Sequence, residues 1–508
     1  MAMSKKEKQS LVDELTKENS ESMSCLSADE KVKYGYVLCR LAECEKGDAI
    51  LLRKMANGKI VYDPKTRLYF HFRNHHWIPD TPSAHKLREV ISEKLPAMYK
   101  FTANELASRS KADLNRKSLI ELLHERASTL RTKRGVQSVL YFTETELMKE
   151  DIEWDSKPDL MGVKNGVVEL RTGELRDGKP EDYITEAKVI PHPFLGLNAT
   201  SEIIEQFVRD VFHPDVIEYM QRVLGSGVTG HSRDHCLTIL FGPKGRNGKD
   251  TLLNHLLFVL GDIVGPASPD VFMERRNKTA GAAEPHIVAL IGKRLIWIDE
   301  AAQGERLNER LVKLMTGGGE QSSRGLWGHQ LTFTPSYTPL LLTNHLPLAT
   351  GDDQAFWERI NVVTLENRFV DDPDPNKPNE RKRDLHILDK LNQDASGTLS
   401  WLVRGAMDWY KQRGLNPPDI VRTATQAYRR TQDVFSQFIE DRCAVGENKK
   451  VKASKIQKAF AEYMKALGIK SNKDTFAAWL QERFTQKKES TGLYYLGIDL
   501  LPMDEDDE

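Results

Sequence analysis

The sequence predicts an α/β fold: a parallel sheet with flanking helices, preceded by an α+β region and followed by a helical, basic region that ends in a hairpin. Two observations carry this. In the middle of the chain, short and almost wholly apolar segments (237–241, 295–298 and 340–342) alternate with helical stretches. That is the pattern of strands buried on both faces of a parallel sheet. The first of these segments also runs straight into a Gly-rich stretch, 242–251, where a helix begins.

The elements follow in order. Residues 1–48 read as a helical segment, polar at first, then amphipathic through Val32, Tyr36, Leu38 and Leu41. An α+β domain is expected over 49–200. It opens with two hairpins (60–72 and 68–78), continues as helix over 83–147, and turns at Asn165-Gly166 and Thr172-Gly173 within strands. A helical collar over 201–232 leads to the sheet domain at 233–370, which closes in the Pro-rich stretch 371–378. A helical extension over 371–430, a last domain at 431–500 reading as three helices and a hairpin, and an acidic tail at 501–508 complete the chain. The helix expected over 306–315 carries Leu307, Leu311 and Leu314 on one face and stops at Gly317-Gly318-Gly319.

Composition narrows the function classes. With 39% hydrophobic and 29% charged residues and average Gly (33) and Pro (22), the chain can bury several cores and is neither collagen-like nor disordered. Five scattered cysteines without a C-x-x-C pair exclude a disulfide framework or a zinc ribbon. A net charge of −1 excludes a polybasic coat protein, so any nucleic-acid contact has to come from local patches. One such patch is residues 448–488, with eleven Lys/Arg against three Asp/Glu. The start leads into no apolar signal segment, and no apolar run is long enough for a bilayer, so an intracellular protein without membrane contact is expected.

The chemistry sits in the sheet region. Gly242, Pro243, Lys244, Gly245, Arg246, Asn247, Gly248, Lys249, Asp250 and Thr251 lie between strand and helix. Backbone N–H groups and a helix N-terminus there suit phosphate oxygens, with Lys249 as a point charge. One residue too many separates Gly242 from Gly248, and Asp250 stands where the strict motif has Ser or Thr. Taken alone, the stretch is equally a surface turn with an exposed lysine. Its company counts for more. A strand ends at Asp299-Glu300, where one carboxylate suits Mg²⁺ and the next the attacking water. Another strand ends in Thr343-Asn344, whose amide can fix that water. Arg359 opens a further strand as an arginine-finger candidate, a salt bridge to Glu358 or Glu366 being the competing reading.

This ordered set resembles the superfamily 3 helicases, AAA+ P-loop ATPases of viruses and plasmids, and more narrowly the helicase part of phage and plasmid primase-helicases, related to the poxvirus primase-helicase. The stretches that carry the resemblance are 163–175, 245–249, 289–294, 342–347, 357–360 and 428–434. It implies an AAA+ core with ATP and Mg²⁺ as cofactors. Lys249 becomes the phosphate-binding lysine, Asp299 and Glu300 the Walker B pair with Asp299 on the metal, Asn344 the sensor, and Arg359 a finger given to a neighbouring subunit. Asp250 departs from the family pattern and is expected to reach the metal through water.

The resemblance also implies a channel hairpin just before the sensor strand. His329 then stands at its tip, with Arg324 and Lys313 as supporting charge. The basic region, with Lys449, Lys450, Lys452 and Lys455, fits a winged helix on duplex phosphates, a solvated lysine face being the bland alternative. The implied function is an ATP-dependent DNA helicase, 3′→5′ by resemblance. It would act as a hexameric homo-oligomer on single-stranded and forked DNA, in the bacterial host cytoplasm, for a phage, prophage or mobile element. A separate primase or polymerase is the expected partner, since no carboxylate pair with a nearby histidine is found for priming. The competing classes are an ATP-regulated origin-binding initiator or scaffold and, more distantly, a small-molecule kinase.

Overall fold

The computed structural model describes residues 33–34, 36–38, 40–41, 43–108, 114–274, 284–299, 304–324, 330–349, 353–432, 434–466 and 473–501. They fall into two compact units, Met1–Phe194 and Leu195–Glu508. Glu300 and His329, both expected to be functional, lie outside the described residues.

The first unit is α+β. Strands β1 (Ile60–Asp63), β2 (Leu68–Arg73) and β3 (His76–Pro79) form one antiparallel sheet, and β4 (Leu160–Val163), β5 (Gly166–Glu169) and β6 (Glu174–Arg176) another. The β4–β5 turn is Asn165-Gly166, with Val163 opposite Gly166. Helices α1 (Cys44–Ala56), α2 (Leu95–Ser108), α3 (Leu114–Thr129) and α4 (Lys133–Glu146) enclose a core that includes Leu52, Leu87, Leu123 and Val139. Two buried polar groups are satisfied inside this unit. The Asp48 carboxylate takes the Tyr99 hydroxyl at 2.5 Å and the Arg126 guanidinium. Asp80 accepts backbone N–H bonds from Thr81, Lys86 and Leu87 and pairs with His71 at 3.2 Å.

The second unit carries the parallel sheet. Its five strands are β7 (Leu237–Phe241), β8 (Val264–Pro266), β9 (Leu295–Asp299), β12 (Thr338–Thr343) and β13 (Ile360–Thr364), in the spatial order β13-β7-β12-β9-β8. Every neighbouring pair is parallel. Four of the five residues of β7 and all six of β12 are buried, as both-face burial demands. Helices α5 (Glu202–Val211), α6 (Pro214–Ser226) and α7 (Lys249–Leu260) belong to this unit, and α8 (Glu309–Thr316) leads to the antiparallel pair β10 (Gln321–Arg324) and β11 (Gln330–Phe333). Beyond β13 come the short parallel pair β14 (Arg368–Val370) and β15 (Glu380–Lys382), then α9 (Ile387–Gln393), α10 (Ala395–Gln412) and α11 (Asp419–Gln432).

The chain then forms α12 (Val434–Arg442), β16 (Cys443–Lys452), α13 (Ala453–Ala466), α14 (Lys473–Arg483), β17 (Gln486–Glu489) and β18 (Gly492–Leu500), with sheet order β16-β18-β17. These elements close over their own core, which includes Phe438, Ile456, Phe460, Phe476 and Ile498. No helix among the described residues is long and apolar enough to cross a membrane.

Two sequence expectations need correction. The helix expected over 306–315 begins at Glu309, because Asn308 takes the cap and accepts the Leu311 N–H at 3.0 Å. Its buried face is Val312, Met315 and Thr316, and Leu314 is 43% exposed. The last domain also contains a strand that the pattern did not reveal. Lys449, Lys450 and Lys452 sit on β16, an edge strand in which only Cys443 and Val451 are buried, so it shows no apolar alternation.

Candidate functional site

The Gly-rich stretch leaves the carboxyl end of β7, beside the strand pair where the chain order reverses. That is where open parallel sheets bind ligands. The loop's shape depends on its small residues. Gly245 (φ 61°) and Gly248 (φ 84°) hold left-handed backbone, and Arg246 joins them at φ 51°. Gly242 answers to space instead: a Cβ there would lie 2.2 Å from Asn247 Oδ1 and 2.6 Å from Lys249 Nζ. Gly248 is the cap residue of α7, and no side chain caps the helix, so its first-turn N–H groups stay available to an anion.

Three strand ends meet at this loop. Lys249, though 9% exposed, directs its ammonium to Asn344 Oδ1 at 2.7 Å and to the Thr343 carbonyl at 3.3 Å. Asn344 follows β12, and Asp299 ends the neighbouring β9, where it is exposed. Leu342 stands opposite Asp299 in the register of these two strands. All three line a cleft of about 1360 Å³ together with residues 245–251. Asp250 and Thr251 are part of that lining, whereas Pro243 and Lys244 are exposed and outside it.

The cleft has walls that sequence reasoning missed. On one side stand Glu202, Glu205, Phe207 and Asp210 of α5. Also lining it are Phe369 and Lys382 of the β14–β15 pair, Arg383 and Asp384 of the link that follows, and Lys390 of α9. The segment read as a Pro-rich boundary thus sits inside the loop joining two of those elements. The only available signal was its charge, which surface loops share.

The remaining predicted residues lie elsewhere. Arg359 precedes β13, whose first residue pairs with Leu237 and whose last, Thr364, pairs with Phe241 beside the loop. Arg359 is therefore at the amino end of the sheet, one strand length (on the order of 15 Å) from its own subunit's phosphate loop. Its Nη1 donates to the Ala355 carbonyl at 2.5 Å, and its buried Nε has no hydrogen-bond partner. The salt bridge to Glu358 or Glu366 does not form among the described residues. Lys313 bonds Asp353, which caps the short helix Gln354–Trp357 just ahead of Arg359, and that bond holds the Asp353 carboxyl below its usual range. Arg324 stands on β10 opposite Gln330. In the last module Lys450 pairs with Glu489 at 2.6 Å and lies over the Tyr494 ring, while Lys449, Lys452 and Lys455 are exposed. The described residues contain no cluster of three or more metal-ligating side chains.

Residues 49–213 match the family model described as D5 N terminal like. The chain is 28% identical over 403 residues to the "Putative helicase L207/L206" of Acanthamoeba polyphaga mimivirus, covering 74% of this chain and 41% of that protein. It is 24% identical to the "Putative helicase 184R" of Invertebrate iridescent virus 6, covering 65% of this chain and 37% of that protein. With the "Putative primase C962R" of African swine fever virus the identity is also 24%, over 61% and 34% of the two chains. The chain is thus similar to viral proteins named as helicases and primases, and it carries a D5 N-terminal-like region. It spans about two-fifths or less of the length of these relatives. The D5-like match takes in both small sheets of the first unit and runs on through α5, the helix that walls the cleft. Over 89% of its length the chain also overlays on the whole C-terminal region of NrS-1 (305-718), with a TM-score of 0.42 and 11% identity, a likeness too loose to place individual residues.

Proposed function

We propose that this chain is an ATP-dependent DNA helicase of the superfamily 3, AAA+ type, acting in replication as a ring of identical subunits. The observation that carries the reading is the convergence of Lys249, Asn344 and Asp299 at the carboxyl ends of β7, β12 and β9. A lysine at the head of an uncapped helix, a carboxamide and a carboxylate on adjacent strand ends form the set that phosphoryl transfer uses to hold charge and orient water.

The residues fit a nucleoside triphosphate with Mg²⁺. Gly242 leaves the room a side chain would fill, residues 245–248 turn the backbone, and Lys249 supplies a cation for the β- and γ-phosphates. Asp299, and Asp250 through water, are the ligands we assign to Mg²⁺, whose chemistry is to neutralise charge between the phosphates. Asn344, with Glu300 by family resemblance, orients the attacking water. Arg359 serves the neighbouring subunit: at the far end of β13 it is too distant for its own loop, and a hexameric ring would give each site both parts. Within that ring the β10–β11 hairpin, with Arg324, His329 and Lys313, contacts the strand in the channel, and movement is 3′→5′ by the same resemblance. The arrangement α12-β16-α13-α14-β17-β18 supports a winged-helix module, with Lys449, Lys452 and Lys455 on duplex phosphates.

Lys249→Ala in the full chain is the direct test. ATP hydrolysis stimulated by forked DNA should fall by at least about 100-fold, and strand displacement should be lost with it. Hydrolysis at the unmutated rate would end this reading. An ATP-dependent footprint without strand displacement by the unmutated protein would favour an origin-binding initiator over a helicase.

A further inference from the structure

The segment after β13 is fastened to the phosphate loop at three alternate residues. Leu365 donates its N–H to the Phe241 carbonyl at 2.7 Å and accepts from Asn247 Nδ2 at 3.3 Å. Asn367 accepts from the same Asn247 Nδ2 at 2.8 Å. Phe369 donates its N–H to the Arg246 carbonyl at 2.9 Å. Residues two apart in an extended chain present their backbone groups to one side, so 365, 367 and 369 form a ladder along the loop. Asn247 is 2% exposed, and both of its amide hydrogens go to this ladder. The ladder is in turn held from behind: Asn367 Nδ2 donates to the Asp210 carbonyl at the end of α5, at 2.9 Å. Phe369 packs under the loop as well, since a Cβ on Gly248 would come within 3.3 Å of its ring.

The same segment is continuous with β13, and β13 begins at Arg359. The strand is paired with β7 from Ile360–Leu237 to Thr364–Phe241, and the Arg359 carbonyl itself accepts the Leu237 N–H at 2.7 Å. β13 is an edge strand, but one paired with β7 along its whole length, and a strand so bonded to a close-packed sheet moves as one body. One end of this strand therefore holds the subunit's own phosphate loop, and the other end carries the guanidinium that serves the next subunit.

We propose that Asn367 is a positioning residue that couples the two ends, so that nucleotide in a subunit's own loop sets where that subunit presents Arg359. The proposal rests on the reading above that adjacent subunits share each nucleotide. Asn367 touches no phosphate. It acts by fixing the ladder between Asp210 and Asn247.

The experiment compares ATP hydrolysis against ATP concentration, with forked DNA, for the full chain, Asn367→Ala, Asn367→Ser and Lys249→Ala. Unmutated protein should give a sigmoidal curve. Each Asn367 variant should give a hyperbolic one, with a Hill coefficient of about 1 and half-saturation raised about fivefold. Thermal midpoints should stay within about 2 °C, since the lost bond sits in one half-exposed connection. A residue that merely supports the fold would lower the midpoint and leave the shape of the curve alone. Sigmoidal curves retained in whichever Asn367 variant folds, or a hyperbolic curve from unmutated protein, overturn the coupling. If Lys249→Ala hydrolyses ATP normally, the shared-site reading itself has failed, and that result is distinct from the others.

Discussion

Gly242 illustrates how little freedom the site leaves to a single residue. Its backbone lies against the two groups that shape the loop, so the methyl of Gly242→Ala would sit 2.2 Å from Asn247 Oδ1 and 2.6 Å from Lys249 Nζ. Asn247 cannot swing away without breaking its bonds to Leu365 and Asn367, so the lysine or the loop has to yield. Nucleotide affinity of Gly242→Ala should fall by about tenfold or more while the thermal midpoint changes little, as a fluorescent nucleotide titration would show. Unaltered affinity would mean that the loop tolerates a displaced ammonium. The positions of Asn344 and Asp299 could be read from the sequence because each closes or directly follows an apolar strand, and that of Lys249 because it opens the helix after the Gly-rich loop. Asn247 could not be read that way, since its partners come 118 and 120 residues later and the pairing exists only once β13 lies beside β7.

Helices were easy to find in the sequence, but not the places where they touch. Helices α6 and α10 cross at glycines: a Cβ on Gly225 would lie 2.3 Å from backbone atoms of Gly405 and Ala406, and one on Gly405 would lie 2.1 Å from the Gln221 carbonyl. Neither glycine has a turn to make. Both serve a close approach of two backbones about 180 residues apart, which no local pattern encodes. Backbone cannot rotate aside as a side chain can, so Gly405→Ala should cost about 1–3 kcal/mol in urea unfolding of the second unit, despite alanine's better helix propensity. A neutral or stabilising effect would show that the crossing can widen. The α8 stripe fails for a related reason. Counting from Leu307 puts the apolar face at 307, 311 and 314, but Leu307 lies ahead of the Asn308 cap, outside the helix, and within the helix the packed face is Val312, Met315 and Thr316. Strand β16 escaped notice because an edge strand with one neighbour needs few buried side chains.

At the scale of the whole molecule, the chain order of apolar strands and the Gly-rich loop pointed to the parallel sheet, and the last module, expected at 431–500, closes over a core of its own. Its core residues all fall within 434–500, and the sheet core reaches no further than Tyr428. Gln432 still belongs to the sheet side, since it accepts the Ala349 N–H at 2.9 Å. Deleting residues 434–508 should therefore leave the five-stranded sheet folded and ATP hydrolysis dependent on Lys249. What should change is duplex binding. Lys449, Lys452 and Lys455 are exposed, whereas Lys450 and Lys458 are paired with Glu489 and Glu462. If the three exposed lysines each neutralise a phosphate, the slope of log affinity against log salt should flatten by about 3 on deletion. Lys449, Lys452 and Lys455 replaced together by Ala in the intact chain should reproduce that change, because it needs the charges and not the fold. A slope that stays put in both would make this lysine face a solvated surface and would move duplex recognition to another part of the chain.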